Sequence, residues 1–375
     1  MYDFPTVSDT PTLASWLYQG ILFAIIFFSF KKSCLYSFGQ KRDRNTRFFF
    51  PFLLIVYVIT AFTDGDFSHY QSIVKNYTGP GSTNLESIYE YVIAITNQNY
   101  FLFRSIFFGG TILILPVLFS KYDLDRYSSL FFLFAVYIET LSYSRASVGM
   151  AVFFLGLSIL FSEHKSVLKV LVGVALVIAS YFFHRSFIVL IPLSLLGVMP
   201  VNKKTIPLIL MAVVLSFTVL KSFTSNLIAE IMLSDFEDLA VKAEQYATES
   251  SGHFSGGLFA WIMHIWKHGV FIILFLVDAY YVLYHKIRVS KSIQSVFNVS
   301  FGIFLFAILM YFFDITNAAL YYRYLFMLML PTATMTTYLY QKGIMPIKTF
   351  RFLFWFGCIP TMERILYYIY YLSIH

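Results

Sequence analysis

The stretch FLFRSIFFGGTILILPVLF, residues 101–119, carries a single charged residue, Arg104. A helix that crosses the hydrocarbon core of a bilayer needs about 20 mainly apolar residues, so this stretch is long enough to span a membrane. The whole chain has the same character: 58% of its 375 residues are hydrophobic, 20% are aromatic and 13% are charged. Soluble globular chains have about 45–50% apolar and about 25% charged residues. The composition predicts an integral membrane protein and excludes a soluble enzyme, a disordered chain and a nucleic-acid-binding protein.

Apolar stretches of similar length recur along the chain and predict about twelve transmembrane helices in one membrane domain, residues 1–375. The predicted fold class is therefore an all-α polytopic membrane protein. We expect two long loops, residues 64–100 and 221–257, and short connections elsewhere. The predicted spans are residues 12–30, 48–63, 101–119, 127–143, 147–161, 167–183, 186–199, 205–220, 258–284, 293–313, 322–339 and 352–372.

The distribution of Lys and Arg predicts the orientation of the chain. Cytoplasmic connections of membrane proteins carry an excess of these residues, and one set of alternate connections holds 18 of the 27. We therefore assign this set to the cytoplasm, so that both termini and both long loops face outward. The 18 residues are Lys31, Lys32, Lys41, Arg42, Arg44, Arg47, Lys121, Arg126, Lys165, Lys169, Lys203, Lys204, Lys286, Arg288, Lys291, Lys342, Lys348 and Arg351.

Polar and aromatic residues in the two long loops make the outer face the expected place for any chemistry. The first loop contains Asp66, Tyr70 and Glu86, and the second contains an acidic stretch, Glu230–Glu249. Loops that are held by a rigid scaffold often carry function. Asp64 and Asp66 have the spacing of an Asp-x-Asp motif for nucleotide sugars, but such sugars are not expected on the outer side.

Charged side chains at the outer ends of predicted helices are the main candidates for a functional site. A charge at membrane depth costs about 2.5–3.5 kcal/mol on insertion scales, so it usually has a function. Each has a structural alternative: the arginines could be interface anchors, the histidine a hydrogen-bonded structural residue, and Asp314 and Arg323 could pair with each other. The positive-inside rule acts against arginine on the outer side, which favours the functional interpretation. The candidates are Arg145, His184, Arg185, Asp314 and Arg323.

Arginines grouped with a histidine at the outer leaflet suit a phosphorylated lipid head group. A guanidinium group presents a fixed fork of donors that matches phosphate oxygens, and it keeps its charge. Such donors would stabilise a departing pyrophosphate, and loss of one donor reduces a rate by about 10²–10³. A neutral imidazole can accept the proton of an attacking sugar hydroxyl near pH 7.

Motifs for nucleotides, catalytic zinc and dinucleotides are missing: there is no Walker loop, no His-Glu-x-x-His and no Rossmann glycine pattern. The two cysteines are too few for a disulfide framework or a cysteine metal site. Of His253, His264 and His268, only the last two share a helical face, and Lys267 lies beside them. We therefore expect neither a metal nor a cofactor.

Four short motifs resemble, in their order, those of the EpsG/Wzy-type polysaccharide polymerases of bacteria, over roughly residues 50–340. In that family an acidic residue and a tyrosine follow an early span, and an arginine before small residues opens a later span. A histidine then follows an aromatic run, and Arg-Tyr opens a late span. The corresponding stretches here are Asp66-Phe67-Ser68-His69-Tyr70, Ser144-Arg145-Ala146-Ser147-Val148-Gly149-Met150-Ala151, Phe182-Phe183-His184-Arg185-Ser186-Phe187 and Tyr322-Arg323-Tyr324.

The resemblance implies a glycosyltransferase-C-like architecture in the bacterial cytoplasmic (inner) membrane, with the active site facing the periplasm or exterior. A growing glycan would move from undecaprenyl pyrophosphate onto the sugar of a new lipid-linked repeat unit. We expect this transfer to be metal-independent and to invert the anomeric carbon. The expected partners are the lipid-linked glycans, membrane lipid, a chain-length regulator and a flippase. The product would be O-antigen, capsule or exopolysaccharide.

The resemblance also implies roles for individual residues. Arg145 and Arg323 would hold the donor pyrophosphate, with Arg185 as a third contact. His184 would orient or deprotonate the acceptor hydroxyl, and Asp66 is the competing candidate for the base. The remaining predicted substrate contacts are Tyr70, Glu86, Asp314 and Tyr322.

Two other functions remain open at the level of sequence. An O-antigen ligase on the same scaffold would differ only in its acceptor. A transporter or flippase would need polar groups near the middle of the membrane and often has repeated halves. Glu139 and Asp278 are the main deep charges here. A purely structural partner of a glycan-assembly complex would not need Arg145, His184 and Arg323.

Overall fold

A computed structural model describes residues 13–34, 51, 54–55, 67–83, 85–141, 144–163, 166–199, 206–207, 210, 257–284, 289–312, 324–359 and 362. These residues form helices joined by turns, and no strand occurs among them. The predicted all-α class is therefore confirmed for this part of the chain. The helices are α1 (Leu13–Cys34), α2 (Phe67–Lys75), α3 (Ser87–Ile95), α4 (Tyr100–Lys121), α5 (Arg126–Leu141), α6 (Ser144–Leu160), α7 (Val167–Phe183), α8 (Leu190–Leu193), α9 (Gly257–Tyr284), α10 (Lys291–Phe312), α11 (Met329–Gln341) and α12 (Ile347–Gly357).

Several helices coincide with predicted spans, and α7 has the predicted bounds. Within the described ranges, two helices are long and apolar enough to cross a membrane, namely α4 and residues Lys291–Ile308 of α10. The total of about twelve spans stays a prediction. The predicted spans 48–63 and 205–220 lie largely outside the described residues, and so does the predicted loop 221–257.

The predicted span 186–199 is not one regular α-helix. Residues Arg185–Val189 form a 3₁₀-helix, α8 follows, and Ser194–Val198 form a second 3₁₀-helix. Pro192 has no backbone N–H and therefore cannot make a regular helix hydrogen bond at this point. A 3₁₀-helix rises about 2.0 Å per residue against about 1.5 Å in an α-helix, so the break also lengthens the segment.

The helices α6 and α7 pack closely because glycines face each other at their crossing. A Cβ atom added at Gly156 would lie 2.9 Å from the carbonyl oxygen of Gly173. A Cβ atom added at Gly173 would lie 2.9 Å from Cβ of Leu160. Small residues at such crossings let two backbones approach each other, which is a recurrent way to pack helices in membranes.

Polar side chains tie the helices together at the end of the bundle where α4 ends and α5 begins. The backbone N–H of Asp125 donates to Oε1 of Gln341 at 2.7 Å, and Nε2 of Gln341 donates to Oγ of Ser129 at 3.3 Å. Lys342, just after α11, forms an ion pair with Asp123, in the turn between α4 and α5. Lysines 121 and 342 lie at this end, which is the predicted cytoplasmic one.

Of the two deep acidic residues, Asp278 lies within the core and links α9 to α11. It is fully buried, and the hydroxyl of Thr336 approaches its two carboxylate oxygens at 2.9 and 3.1 Å. The side chain of Glu139 lies outside the described residues.

Candidate functional site

Two short helices, α2 and α3, cover one end of the bundle, within the region predicted as the first long loop. We call these two helices and the turn between them the cap. The helices α2 and α3 pack on the first turns of α4 and α6 and on the last turns of α7 through a buried apolar group, which we call the cap cluster. We call this end of the bundle the cap end. The cap cluster comprises Tyr70, Val74, Tyr77, Leu85, Tyr89, Val92, Ile93, Tyr100, Phe103, Phe107, Val148 and Val152.

Glu90 of α3 binds the turn between α2 and α3. Its carboxylate accepts hydrogen bonds from the backbone N–H of Gly81 at 2.9 Å, the N–H of Thr83 at 3.1 Å and the hydroxyl of Thr83 at 2.7 Å. Burial by itself would raise the pKa of Glu90, but these three hydrogen bonds favour the ionised form more strongly. The pKa of Glu90 therefore lies below its ordinary value, and the ionised side chain orders the turn.

Tyr89 connects the cap to the end of α7. Its hydroxyl donates to the carbonyl oxygen of Phe183 at 2.9 Å, and its ring packs 4.4 Å from the ring of Phe107, centroid to centroid. The side chain is fully buried. The last four carbonyls of a helix have no partner within the helix, so Tyr89 satisfies one of them directly beside His184.

His184 ends α7 in an extended conformation. Its backbone N–H donates to the carbonyl of Ser180 at 3.3 Å, and its own carbonyl accepts from the N–H of Phe187 at 2.9 Å. The imidazole is half-buried, and its centroid lies 6.0 Å from that of the Phe187 ring in an edge-to-face arrangement. The chain thus reverses direction at His184 and packs its next aromatic residue back onto the bundle.

Phe187 in turn packs against the first turns of α6, where Arg145 lies. A Cβ atom added at Gly149 would lie 2.9 Å from Cε2 of Phe187, so only glycine leaves room for this ring. Arg145 is the second residue of α6 and precedes Gly149 by one helical turn. The structure therefore brings His184, the cap and the beginning of α6 to the same end of the bundle. The side chain of Arg145 lies outside the described residues.

The other predicted site residues divide into three groups. Tyr70 and Glu86 are each 9% exposed and belong to the packed interior of the cap. Arg185 is placed by its backbone at the start of the first 3₁₀-helix, whereas its side chain is not described. Four more predicted site residues lie outside the described part: Asp66, Asp314, Tyr322 and Arg323.

Two residues at the cap end were not among the predicted site residues. Tyr89 is one of them, and the chain's 28 tyrosines give no signal that would single it out. Arg104 is the other: it is 2% exposed near the beginning of α4, and its guanidinium carbon lies 5.2 Å from the centroid of the Phe108 ring. A lone charge near the start of an apolar span is a detectable signal. Arg104 adds positive charge to the cap end.

Metal-ligating side chains do not gather in the described ranges, where no group of three or more His, Cys, Asp or Glu could hold an ion. The side chains of His253, His264 and His268 fall outside these ranges.

A comparison with protein-family models decides the relationship of the chain to known proteins. The model described as the EpsG family matches residues 45–374. The chain belongs to the EpsG family. This is the family of Wzy-type polysaccharide polymerases, so the predicted resemblance is confirmed. The matched region contains α2 to α12, including the cap and the turn at His184.

Membership of the EpsG family makes the chain a membrane protein of a polysaccharide-polymerase family, in agreement with its apolar helices. Comparison with curated proteins gives no match, and comparison with solved structures gives none either.

Proposed function

We propose that this protein polymerises a polysaccharide by transferring a growing glycan from undecaprenyl pyrophosphate onto a second lipid-linked repeat unit. Membership of the EpsG family supports the polymerase activity. The observation that carries the proposal further is the convergence at the cap end: His184, the beginning of α6 with Arg145, and the cap lie together. An enzyme of this kind needs a base, an anion-binding group and a glycan surface within one site.

The donor pyrophosphate would bind at the beginning of α6. The first backbone N–H groups of a helix are unpaired and carry a partial positive charge, so they attract phosphate oxygens. Arg145, in the first turn, would add a bidentate contact. Arg323 and Arg185 would complete the set. In this arrangement the positive charge stabilises the negative charge that develops on the leaving pyrophosphate.

His184 would accept the proton of the acceptor sugar hydroxyl, with Asp66 as the competing candidate. The hydroxyl oxygen attacks the anomeric carbon of the donor sugar while the bond from that carbon to the pyrophosphate oxygen breaks. The hydroxyl proton goes to the imidazole, and the electron pair leaves with the pyrophosphate. One displacement of this kind inverts the anomeric carbon and uses no metal. His184 as a residue is half-buried, so it is not sealed within the bundle.

The cap end would face the periplasm or exterior, and the polyprenyl tails would enter sideways between helices. Asp314 and Tyr322 would contact the glycan, and Tyr70 and Glu86, which are buried in the cap, would support the glycan-binding surface from within. A flippase would deliver the lipid-linked repeat unit to this side, and a chain-length regulator would act on the growing product.

The experiment uses purified protein and a lipid-linked repeat unit extracted from cells that lack the polymerase, without added metal or nucleotide. We expect a ladder of polymer with release of undecaprenyl pyrophosphate. Arg145→Ala should slow it by about 10²–10³, and His184→Ala should slow it by about 10²–10⁴. Arg126 lies in the first turn of α5 at the opposite end, so Arg126→Ala is the matched control and should keep the wild-type rate.

The outcomes separate the competing functions. Normal polymer from Arg145→Ala or His184→Ala would exclude these residues from the mechanism. When a lipid A core is added as a second acceptor, transfer of the glycan to it without a ladder would indicate a ligase. Movement of intact substrate across vesicles without glycosyl transfer would indicate a transporter.

A further inference from the structure

We propose that Tyr89, a residue of the cap, is a positioning residue for His184. This inference rests on the proposed function, because it assigns a role to a residue that acts through the candidate base. The inference depends on one contact: the hydroxyl of Tyr89 donates to the carbonyl oxygen of Phe183 at 2.9 Å.

The peptide group between Phe183 and His184 is held at both of its polar ends. Its carbonyl oxygen accepts from Tyr89 in the cap, and its N–H donates to the carbonyl of Ser180 in the last turn of α7. A peptide group is planar, so two hydrogen bonds on opposite sides fix its rotation. The Cα atom of His184 lies in this plane. The orientation of the plane therefore sets the position from which the imidazole extends.

The imidazole itself is located on its other side by Phe187. The ring of Phe187 is fully buried against Gly149 and lies 6.0 Å from the imidazole, centroid to centroid. His184 thus lies between the carbonyl that Tyr89 binds and the ring of Phe187, which packs on α6. A displacement of about 1 Å in a catalytic group can reduce a rate by about 10²-fold. Of these contacts, the hydrogen bond from the Tyr89 hydroxyl can be removed by deleting a single oxygen atom, in Tyr89→Phe.

Packing on α4 also keeps Tyr89 in place. Its ring packs against Phe103 and Phe107 of α4, with centroids 6.1 and 4.4 Å away, and Glu90, the next residue, orders the turn above. Tyr89 is therefore fixed by its packing on α4 as well as by its place in the cap.

A second tyrosine provides a matched comparison. The hydroxyl of Tyr122 also donates to a backbone carbonyl, that of Phe154, at 3.2 Å, and its side chain is 2% exposed. It lies where α4 ends, away from the cap. Tyr89→Phe and Tyr122→Phe thus remove the same atom from the same kind of hydrogen bond. Of the two hydroxyl groups, only that of Tyr89 contacts the peptide group before His184.

The test measures kcat and KM for polymer formation by the full-length variants, with the extracted lipid-linked repeat unit as substrate. We expect Tyr89→Phe to lower kcat by about 10- to 100-fold and to leave KM within about twofold, because binding groups are untouched while the base is displaced. Tyr122→Phe should keep the wild-type kcat at a similar loss of thermal stability. If Tyr89→Phe is too unstable to purify, Tyr89→Phe is combined with Gly110→Ala, since nothing lies within 4 Å of the added methyl group.

Equal values of kcat for the two variants would overturn the proposal, and so would a loss that appears in KM. Failure of this inference differs from failure of the proposed function. If wild type polymerises and His184→Ala does not, while Tyr89→Phe behaves like Tyr122→Phe, only the positioning role is wrong. If wild type forms no polymer, the proposed function is wrong.

Discussion

Replacement of helical glycines by alanine probes the packing that locates His184. The same methyl group meets three different surroundings in this protein. At Gly110 nothing lies within 4 Å of the added atom, at Gly149 it lies 2.9 Å from the Phe187 ring, and at Gly156 it lies 2.9 Å from backbone atoms of α7. Because the substitution is identical, differences between the variants report the surroundings alone.

The expected stabilities follow from two opposing effects. Alanine in a helix interior is favoured over glycine by about 0.8–1.0 kcal/mol, so Gly110→Ala should stabilise the protein by about that amount. At Gly149 the ring of Phe187 must retreat to a normal separation of about 3.5–4.0 Å, and overpacking of this kind costs about 1–3 kcal/mol. The net effect at Gly149 is then a loss of up to about 2 kcal/mol. At Gly156 the opposing atoms are backbone, so α6 and α7 must separate, and we expect the largest loss.

The activities of the three glycine variants should not follow the order of their stabilities. Gly149→Ala displaces Phe187, which contacts the imidazole of His184, so we expect a larger loss of polymer formation than its stability explains. Gly110→Ala should be fully active. Thermal unfolding of the detergent-solubilised variants gives the stabilities, and the polymer ladder gives the rates. A Gly149→Ala variant as active as Gly110→Ala would refute the role of Phe187 in placing His184. Wild-type stability for Gly156→Ala would refute the glycine crossing of α6 and α7.

Two further predictions concern the cap and the orientation of the chain. Because the pKa of Glu90 lies below its ordinary value of 4.5, its ionised form stabilises the cap above that pH, and this stabilisation is lost as the pH falls through the lowered pKa. The difference in Tm between wild type and Glu90→Gln should therefore be full at neutral pH and vanish in acid, and a constant difference would contradict the assignment. Cys34 ends α1 on the predicted cytoplasmic side and is half-buried, whereas Cys358 is fully buried. A membrane-impermeant maleimide should label Cys34 slowly in inside-out vesicles and Cys358 only after unfolding, and labelling of Cys34 in right-side-out vesicles would reverse the predicted orientation.

The positions of the long helices could be predicted because hydrophobic length is a local property. Residues 167–183 were predicted as a span and form α7 with the same bounds. The segment after it was predicted as a further span, but its two 3₁₀-helices were not, because they depend on contacts with neighbouring helices. Asn298 of α10, for example, donates to the carbonyl of Leu196 at 3.2 Å. Residues 64–100 were predicted as a loop because they contain many polar residues and no apolar run long enough to span a membrane. The structure shows two helices of nine residues each within this region.

The sequence by itself determined the membrane character, the family resemblance and the candidate residues Arg145 and His184, since each is visible as a charge beside an apolar run. Tertiary structure alone decided which groups hold His184. Tyr89 lies 94 residues from Phe183 in the chain, and Gly149 lies 38 residues from Phe187. A buried tyrosine and a helical glycine look ordinary in sequence, because their importance comes from the atoms that folding brings within hydrogen-bonding or van der Waals distance.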